Sequence, residues 1–417
     1  MLIGRIKQIE NNSNITSFSD KLLAFASFLL VFSYSLSFIF NIITRIKGNS
    51  ISYFTAFLGL FVYLYFAKEI IHKKLVINFQ TFFAILLIIL YSVGLFISSI
   101  KYSYTISYFS GVFKSFYVRG IPCFIAGVLM REKKMLKRIE MFIAPIIIVV
   151  AVSLVMVLIK NPTSSIMLYA SLGIDRQTLS YVSSYSIAFI FYYFFNFDAL
   201  ECIPLFKSFI FRLLIGCSLL ICILSLFAGG GRGAMCVVIA ILLYYLISYK
   251  PQGSKRGLIF GVFIICIFII ALRFLSTTSV FSQGYNRIID FFSGSQDQSA
   301  KERLDLYSSA IQIFQDKPFL GYGIGGSLGE LHIWSHNVFF DILIDYGLVG
   351  LFIFVITVIM SFYRILKLTK IHRSEEIAFI FGLCSFIGLL FSGSYLSDAG
   401  IWYLFGYCSF EVKYSGY

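Results

Sequence analysis

A chain of 417 residues that is 59% hydrophobic and only 13% charged, with 48 Phe and 27 Tyr, lies outside the composition of water-soluble domains. That excludes a soluble enzyme and a disordered protein. The formal net charge of +14 does not imply nucleic acid, because the basic residues gather in short loops between apolar runs, where they face anionic headgroups.

The apolar runs repeatedly reach the roughly 20 residues that a helix needs to cross about 30 Å of hydrocarbon, where every backbone amide must be paired within its own helix. In chain order, spans are predicted near 22–42, 51–67, 79–100, 110–130, 140–159, 178–197, 208–227, 233–249, 257–275, 347–366, 377–392 and 395–410. The first run is too long for a signal-peptide core and no A-x-A-like site follows it, so it is taken as span one. The fold class is an all-α polytopic membrane protein of about twelve transmembrane helices, with one large loop before the third-last span. The count falls to eleven if "SGVFKSFYVRGIPCFIAGVLM", which holds Lys114 and Arg119, is not a span; the twelfth carries Asp398.

Orientation follows from the excess of Lys and Arg in short cytoplasmic loops. Arg5 and Lys7 precede span one, and "KEIIHKK", "REKKMLKR", "YKPQGSKRG" and "YRILKLTKIHRSEE" follow spans two, four, eight and ten, all on one side of a twelve-span chain. Three regions result: a transmembrane bundle over 1–274 with a cytoplasmic N-terminus, an outer loop over 275–346, and C-terminal spans over 347–417 ending in the cytoplasm. The eight cysteines, Cys123, Cys202, Cys217, Cys222, Cys236, Cys266, Cys384 and Cys408, lie in or beside spans with no C-x-x-C pair and are expected to be small packing residues. There is no internal repeat, Walker sequence or dinucleotide fingerprint, which argues against nucleotide-driven chemistry.

Positive charge on the outer side opposes the topological bias, so each instance calls for a reason. The outer arginines are Arg176 in "GIDRQTLSYVSSYS", Arg232 in "AGGGRGAM", Arg287 in "GYNRIIDFF" and Arg303 in "KERLDLYSSAIQIFQDKPFLGYG". Arg232 stands in a glycine run that allows close backbone approach to a ligand; it is either a fork for phosphate oxygens or a snorkelling residue at a helix end. His332 and His336 are four apart, which would share one face of a helix and suggest metal, but no third ligand is evident. His336, followed by Asn337 and a helical run with Asp341 and Asp345, suits either proton transfer or a hydrogen-bonded surface histidine.

The series "AGGGRGAM", "ERLDLYSSAIQIFQDKPFLGYGIGG" and "SHNVFFDILIDYGLVGLFIF" resembles the shared core of the O-antigen polymerase and O-antigen ligase superfamily over roughly 174–350. The pattern is an arginine after a span, an arginine ahead of a P-x-x-G-x-G segment, then H-N before D-x-G-x-x-G. The resemblance implies a glycosyltransferase of the bacterial inner membrane, facing the periplasm, with no metal and no cofactor beyond undecaprenyl pyrophosphate, the lipid carrier of the donor and acceptor glycans.

It carries His336, Arg232 and Arg303 into catalytic roles. Arg176, Arg287, Gly323, Gly325 and Asn337 become candidates for binding pyrophosphate or glycan, with Asn337 placed to orient the histidine. Gly321, Gly323, Gly325 and Gly326 are expected to fold a loop back on the membrane surface and expose amides, while Gly347 and Gly350 loosen the entry into span ten. "GGGRG" departs from relatives that have serine before the arginine.

The implied partners are lipid-linked oligosaccharide repeat units, membrane lipids and a polysaccharide chain-length regulator, with no nucleic acid. Polymerase is favoured by the ending "FSGSYLSDAGIWYLFGYCSF", which resembles the last spans of repeat-unit polymerases. Ligase shares the same core. A flippase or transporter would share the hydropathy but keep its ionisable groups near the midplane.

Overall fold

Uninterrupted apolar runs with few Gly or Pro breaks leave the helix as the one way to pair the backbone, and the described residues form helices with no strand among them. The computed structural model describes residues 18–44, 49–72, 79–101, 116–132, 135–160, 174–196, 208–248, 286, 289 and 298–409. In order, these give α1 (Phe18–Val31), α2 (Ser33–Thr44), α3 (Asn49–His72), α4 (Phe79–Lys101), a π-helical turn (Phe116–Gly120), α5 (Ile121–Glu132), α6 (Leu136–Lys160) and α7 (Arg176–Phe195). Then follow α8 (Phe209–Gly229), α9 (Arg232–Ser248), α10 (Gln298–Asp316), α11 (Gly326–Leu331), α12 (Val338–Thr369), α13 (Glu376–Leu389) and α14 (Ala399–Ser409).

Three helices, within α6, α8 and α12, are long and apolar enough to cross a membrane by themselves. The bent pair of α1 and α2 makes a fourth if it is one span; it turns by 75°. The expected span near 257–275 lies outside the described residues, so the count of twelve rests on hydropathy. Four boundaries differ from expectation. Span one is bent, span four opens in a π-helical turn, span ten starts nine residues earlier at Val338, and Asp398 stands just outside α14, whose first turn it caps by accepting from the Ile401 amide at 2.9 Å.

Small residues set the closest crossings, as expected where lipid offers no hydrophobic drive between helices. A Cβ on Gly127 of α5 would lie 2.6 Å from the Tyr407 amide of α14, and one on Gly406 of α14 would lie 2.6 Å from the Phe124 carbonyl carbon. On α7, Ser180, Ser183 and Ser186 return their hydroxyls to carbonyls four residues back at 2.7–3.0 Å, so a polar stripe packs as a small one against α8 and α9. Phe57, Phe96, Leu246, Phe352 and Ile359 remain exposed on the outside of the bundle, the surface that lipid would cover. Cys123, Cys222, Cys384 and Cys408 are buried packing residues, whereas Cys217 is exposed; Cys202 and Cys266 lie outside the described residues.

The bundle has two polar ends. At one, Arg131 pairs with Glu375 at 3.1 Å and lies over the Tyr407 ring, and the Tyr407 hydroxyl donates to the same carboxylate. Beside them Glu376 accepts from Asn196 at 2.9 Å and from Tyr245 at 3.1 Å, and the Tyr192 hydroxyl donates to Glu140. These groups bring the "REKKMLKR" and "YRILKLTKIHRSEE" stretches to the same end, the relation that loop charge required. The start of α7, the α8–α9 junction, α10 and the start of α12 lie at the other end.

Candidate functional site

Two helices at that second end begin with an arginine, Arg176 on α7 and Arg232 on α9. A cation in the first turn opposes the positive end of the helix dipole, so these two arginines add positive charge where a helix N-terminus already favours an anion. α10 adds Arg303 from above, and it is seated by stacking of Tyr307 on Phe340 of α12, with ring centroids 4.6 Å apart. Arg176, Arg232 and Arg303 line one cavity of about 180 Å³ with Gln177, Tyr181 and Phe391; no carboxylate is in its lining among the described residues. Arg287 lies outside the described residues.

The glycine run around Arg232 is used for helix packing. Gly230 takes the left-handed conformation that ends α8. A Cβ on Gly229 would lie 2.7 Å from the Arg176 carbonyl, and one on Gly231 would lie 2.6 Å from the Ser180 side chain, whose hydroxyl accepts from the Gly231 amide at 3.0 Å. These glycines therefore draw the α9 start against the α7 start, which is what brings two helix N-termini and two arginines to one place.

The segment leading to His336 is held in the same economical way. Pro318-x-x-Gly321-x-Gly323 folds against Asp345-x-Gly347-x-x-Gly350, with Tyr322 and Gly323 amides donating to the Ile344 and Asp345 carbonyls at 2.8 Å and Leu348 donating to Pro318 at 2.8 Å. Gly321 and Gly347 both have positive φ, and a Cβ on either would run into the other segment's backbone. Gly347 thus breaks α12 at φ 61°, ψ −158° and locks it, rather than loosening the entry. The amides of Gly325 and Ser327 are likewise turned inward, to the buried Asp345 carboxyl at 3.3 and 2.8 Å, and Tyr395 donates to the same group at 2.6 Å. The loop's glycines give its shape, while its amides have internal partners.

His336 follows in a turn with φ 59°, uncommon for a residue with a side chain and a frequent mark of a functional constraint. Asn337 is the N-cap of α12: its side chain accepts from Phe339 at 3.0 Å, and its carbonyl accepts from the Ser335 hydroxyl at 2.9 Å. Buried Asp341, one turn into α12, accepts from the Ser335 amide at 3.2 Å. Ser335, Asn337 and Asp341 together fix the turn on which His336 sits, so Asn337 acts on the backbone of that turn. His336 is half-buried; burial first, and the nearby Arg303 guanidinium second, push its pKa below the ordinary value and favour the neutral imidazole. His332 is not on a helical face with it, because α11 ends at Leu331 and both histidines have left-handed backbone.

Sequence alone pointed to the three arginines and the histidine, but not to Gln177 and Tyr181, which carry no motif, nor to the anchoring role of Asp345. The signal for Asp345 was a carboxylate in an apolar helix, which in retrospect needed donors such as the loop amides that reach it.

Residues 217–355 match the O-antigen ligase family. The chain is also 27% identical to an O-antigen polymerase of Salmonella muenchen over 180 residues, 39% of this chain and 43% of that protein, so less than half of the relative's length is spanned. Both matches support the O-antigen polymerase and ligase superfamily, and the first covers Arg232, Arg303 and His336.

Proposed function

We propose that the chain is an O-antigen polymerase of the bacterial inner membrane, transferring a growing glycan from undecaprenyl pyrophosphate to a lipid-linked repeat unit on the periplasmic side. The observation that carries this is the convergence of Arg176, Arg232 and Arg303 on one cavity, with His336 within electrostatic reach of Arg303. The arginine forks and two helix N-termini suit the pyrophosphate, whose departure needs charge stabilisation more than protonation. Neutral His336 suits the acceptor sugar hydroxyl, a poor nucleophile.

In the proposed step the acceptor oxygen attacks the anomeric carbon, the bond from that carbon to the pyrophosphate oxygen breaks, and the hydroxyl proton passes to an imidazole nitrogen of His336. Undecaprenyl pyrophosphate leaves with the bonding pair, and a single displacement inverts the anomeric centre. Gly323 and Gly325 shape the loop that presents the histidine, and Arg287 remains a further candidate for the glycan or pyrophosphate. The arginines stand where other phosphate-handling enzymes use a metal clamp. A polysaccharide chain-length regulator is the expected partner.

The name of the matched family favours a second reading, O-antigen ligase, in which the same donor is moved to lipid A-core. Lipopolysaccharide gels of a deletion strain separate the two. Loss of a polymerase leaves core plus one repeat unit, loss of a ligase leaves bare core with glycan stranded on the carrier lipid, and loss of a flippase leaves bare core with units trapped inside. Purified enzyme given synthetic lipid-linked repeat units should form polymer in chelator; activity lost in chelator and restored by metal would reject the arginine-only site.

A further inference from the structure

A second cavity, about 290 Å³, adjoins the arginine cavity and shares Gln177 and Tyr181 with it. The N-terminal turn of α7 divides them, with Arg176 facing one and its neighbour Asp175 the other. The second cavity has a different chemistry: its lining includes Arg119, Asp398, Ser394 and Tyr185, a mixture of one cation, two carboxylates and several hydroxyls. Its volume is at the small end of the roughly 300–1,000 Å³ typical of small-molecule sites.

Two buried polar atoms on this lining, Arg119 Nε and Ser394 Oγ, have no hydrogen-bond partner among the described residues. Buried polar atoms are nearly always paired, so two at one cavity point to a ligand that pairs them. Arg119 also lies in the π-helical turn Phe116–Gly120, a distortion that recurs at functional sites, and at a place where an ionisable group in an otherwise apolar span needs a purpose.

The Asp398 carboxyl accepts from the Ile401 amide at 2.9 Å, with Ser385 and the Gly400 amide also against it and the Arg119 charge nearby. A carboxylate accepts from hydroxyls and a guanidinium donates to hydroxyl or carbonyl oxygens, so the set fits a polyol better than a second phosphate, which Asp175 and Asp398 would repel.

We infer that this cavity is the acceptor subsite, binding the terminal sugar of the incoming repeat unit through Arg119, Asp398 and Ser394 while the arginine cavity holds the donor pyrophosphate. The inference rests on the glycosyltransferase reading for its substrate, and the shared Tyr181 wall places acceptor and donor side by side.

The test uses full-length protein in nanodiscs and the repeat-unit oligosaccharide released from the native strain's surface polysaccharide, free of lipid and pyrophosphate. Saturation-transfer NMR should show it binding to wild type. Arg119→Gln and Asp398→Asn, the latter keeping the helix cap, should each weaken binding roughly tenfold to a hundredfold, the effect of a lost charge-assisted hydrogen bond. They should raise the acceptor KM similarly in polymer formation.

Arg232→Ala should leave oligosaccharide binding intact. Ser394→Ala, which removes an unpaired buried hydroxyl, should raise Tm while weakening binding a few-fold, a combination that misfolding cannot produce. Wild-type binding in both Arg119→Gln and Asp398→Asn, or loss of oligosaccharide binding only in Arg232→Ala, would overturn the subsite. Wild-type protein that binds the oligosaccharide through Arg119 but forms no polymer would instead sink the polymerase reading and leave the sugar site standing.

Discussion

The two polar ends of the bundle treat charge in opposite ways. At the basic-loop end, Arg131 meets Glu375, Glu376 meets Asn196 and Tyr245, Glu140 meets Tyr192, and the Arg373 guanidinium donates to Asn196 at 3.2 Å. Opposite charges and neutral donors interleave there, and the groups tie helix ends together. At the other end three arginines face one cavity with no carboxylate in its lining among the described residues, two of them at helix N-termini. Three guanidinium groups around one cavity raise its affinity for an anion, whereas the mixed groups at the first end join helices to one another.

Substitutions at the two ends should therefore fail differently, and the sharpest contrast is at the histidine. His336→Ala is expected to lower transfer by about 10²–10⁴-fold with donor binding retained, while His332→Ala is mild. Single-turnover transfer from synthetic lipid-linked substrates measures both, and near wild-type rates in His336→Ala would leave the residue a positioning role. Next come Arg232→Ala and Arg303→Ala, each expected to cost on the order of 10²–10³-fold and to abolish long chains on gels, with lysine restoring only part because a point charge replaces a fork. Full ladders in both lysine variants would remove the bidentate role.

Gly347→Ala tests the interlock beneath the site rather than its chemistry. It forces a side chain into φ 61° and to 2.6 Å from the Pro318 carbonyl, and should cost at least about 1–3 kcal/mol, read as a lower Tm and less folded protein in detergent. At the basic-loop end, Glu375→Gln should cost a few kcal/mol at most by unpairing Arg131, yet the folded fraction should polymerise at the normal rate per molecule. A catalytic defect in that variant at full stability would erase the distinction between the ends.

The smallest effect is in pH. Because burial and Arg303 lower the His336 pKa, the neutral base persists below its usual titration range, and the acid limb of kcat/KM should lie below the ordinary histidine value of about 6.5. In residual activity, Arg303→Gln should move that limb upward and Arg303→Lys should leave it. An unmoved limb in Arg303→Gln would uncouple the two residues.

The helices, the meeting of two basic loops at one end and the chemistry of each candidate residue were legible in the sequence, because hydropathy, loop charge and side-chain chemistry are local properties. Proximity is not local. Arg176, Arg232 and Arg303 meet only because Gly229 and Gly231 let α8 and α9 close on Ser180 while Tyr307 seats α10 on Phe340. The glycines of the P-x-x-G-x-G segment read as ligand-facing because a chain cannot reveal that Asp345 and Gly347, more than twenty residues on, complete their fold. Arg119 and Asp398 looked like flaws in two weak spans. Only the tertiary structure sets them around one cavity, since the pairing of buried polar groups is decided by packing across helices far apart in the chain.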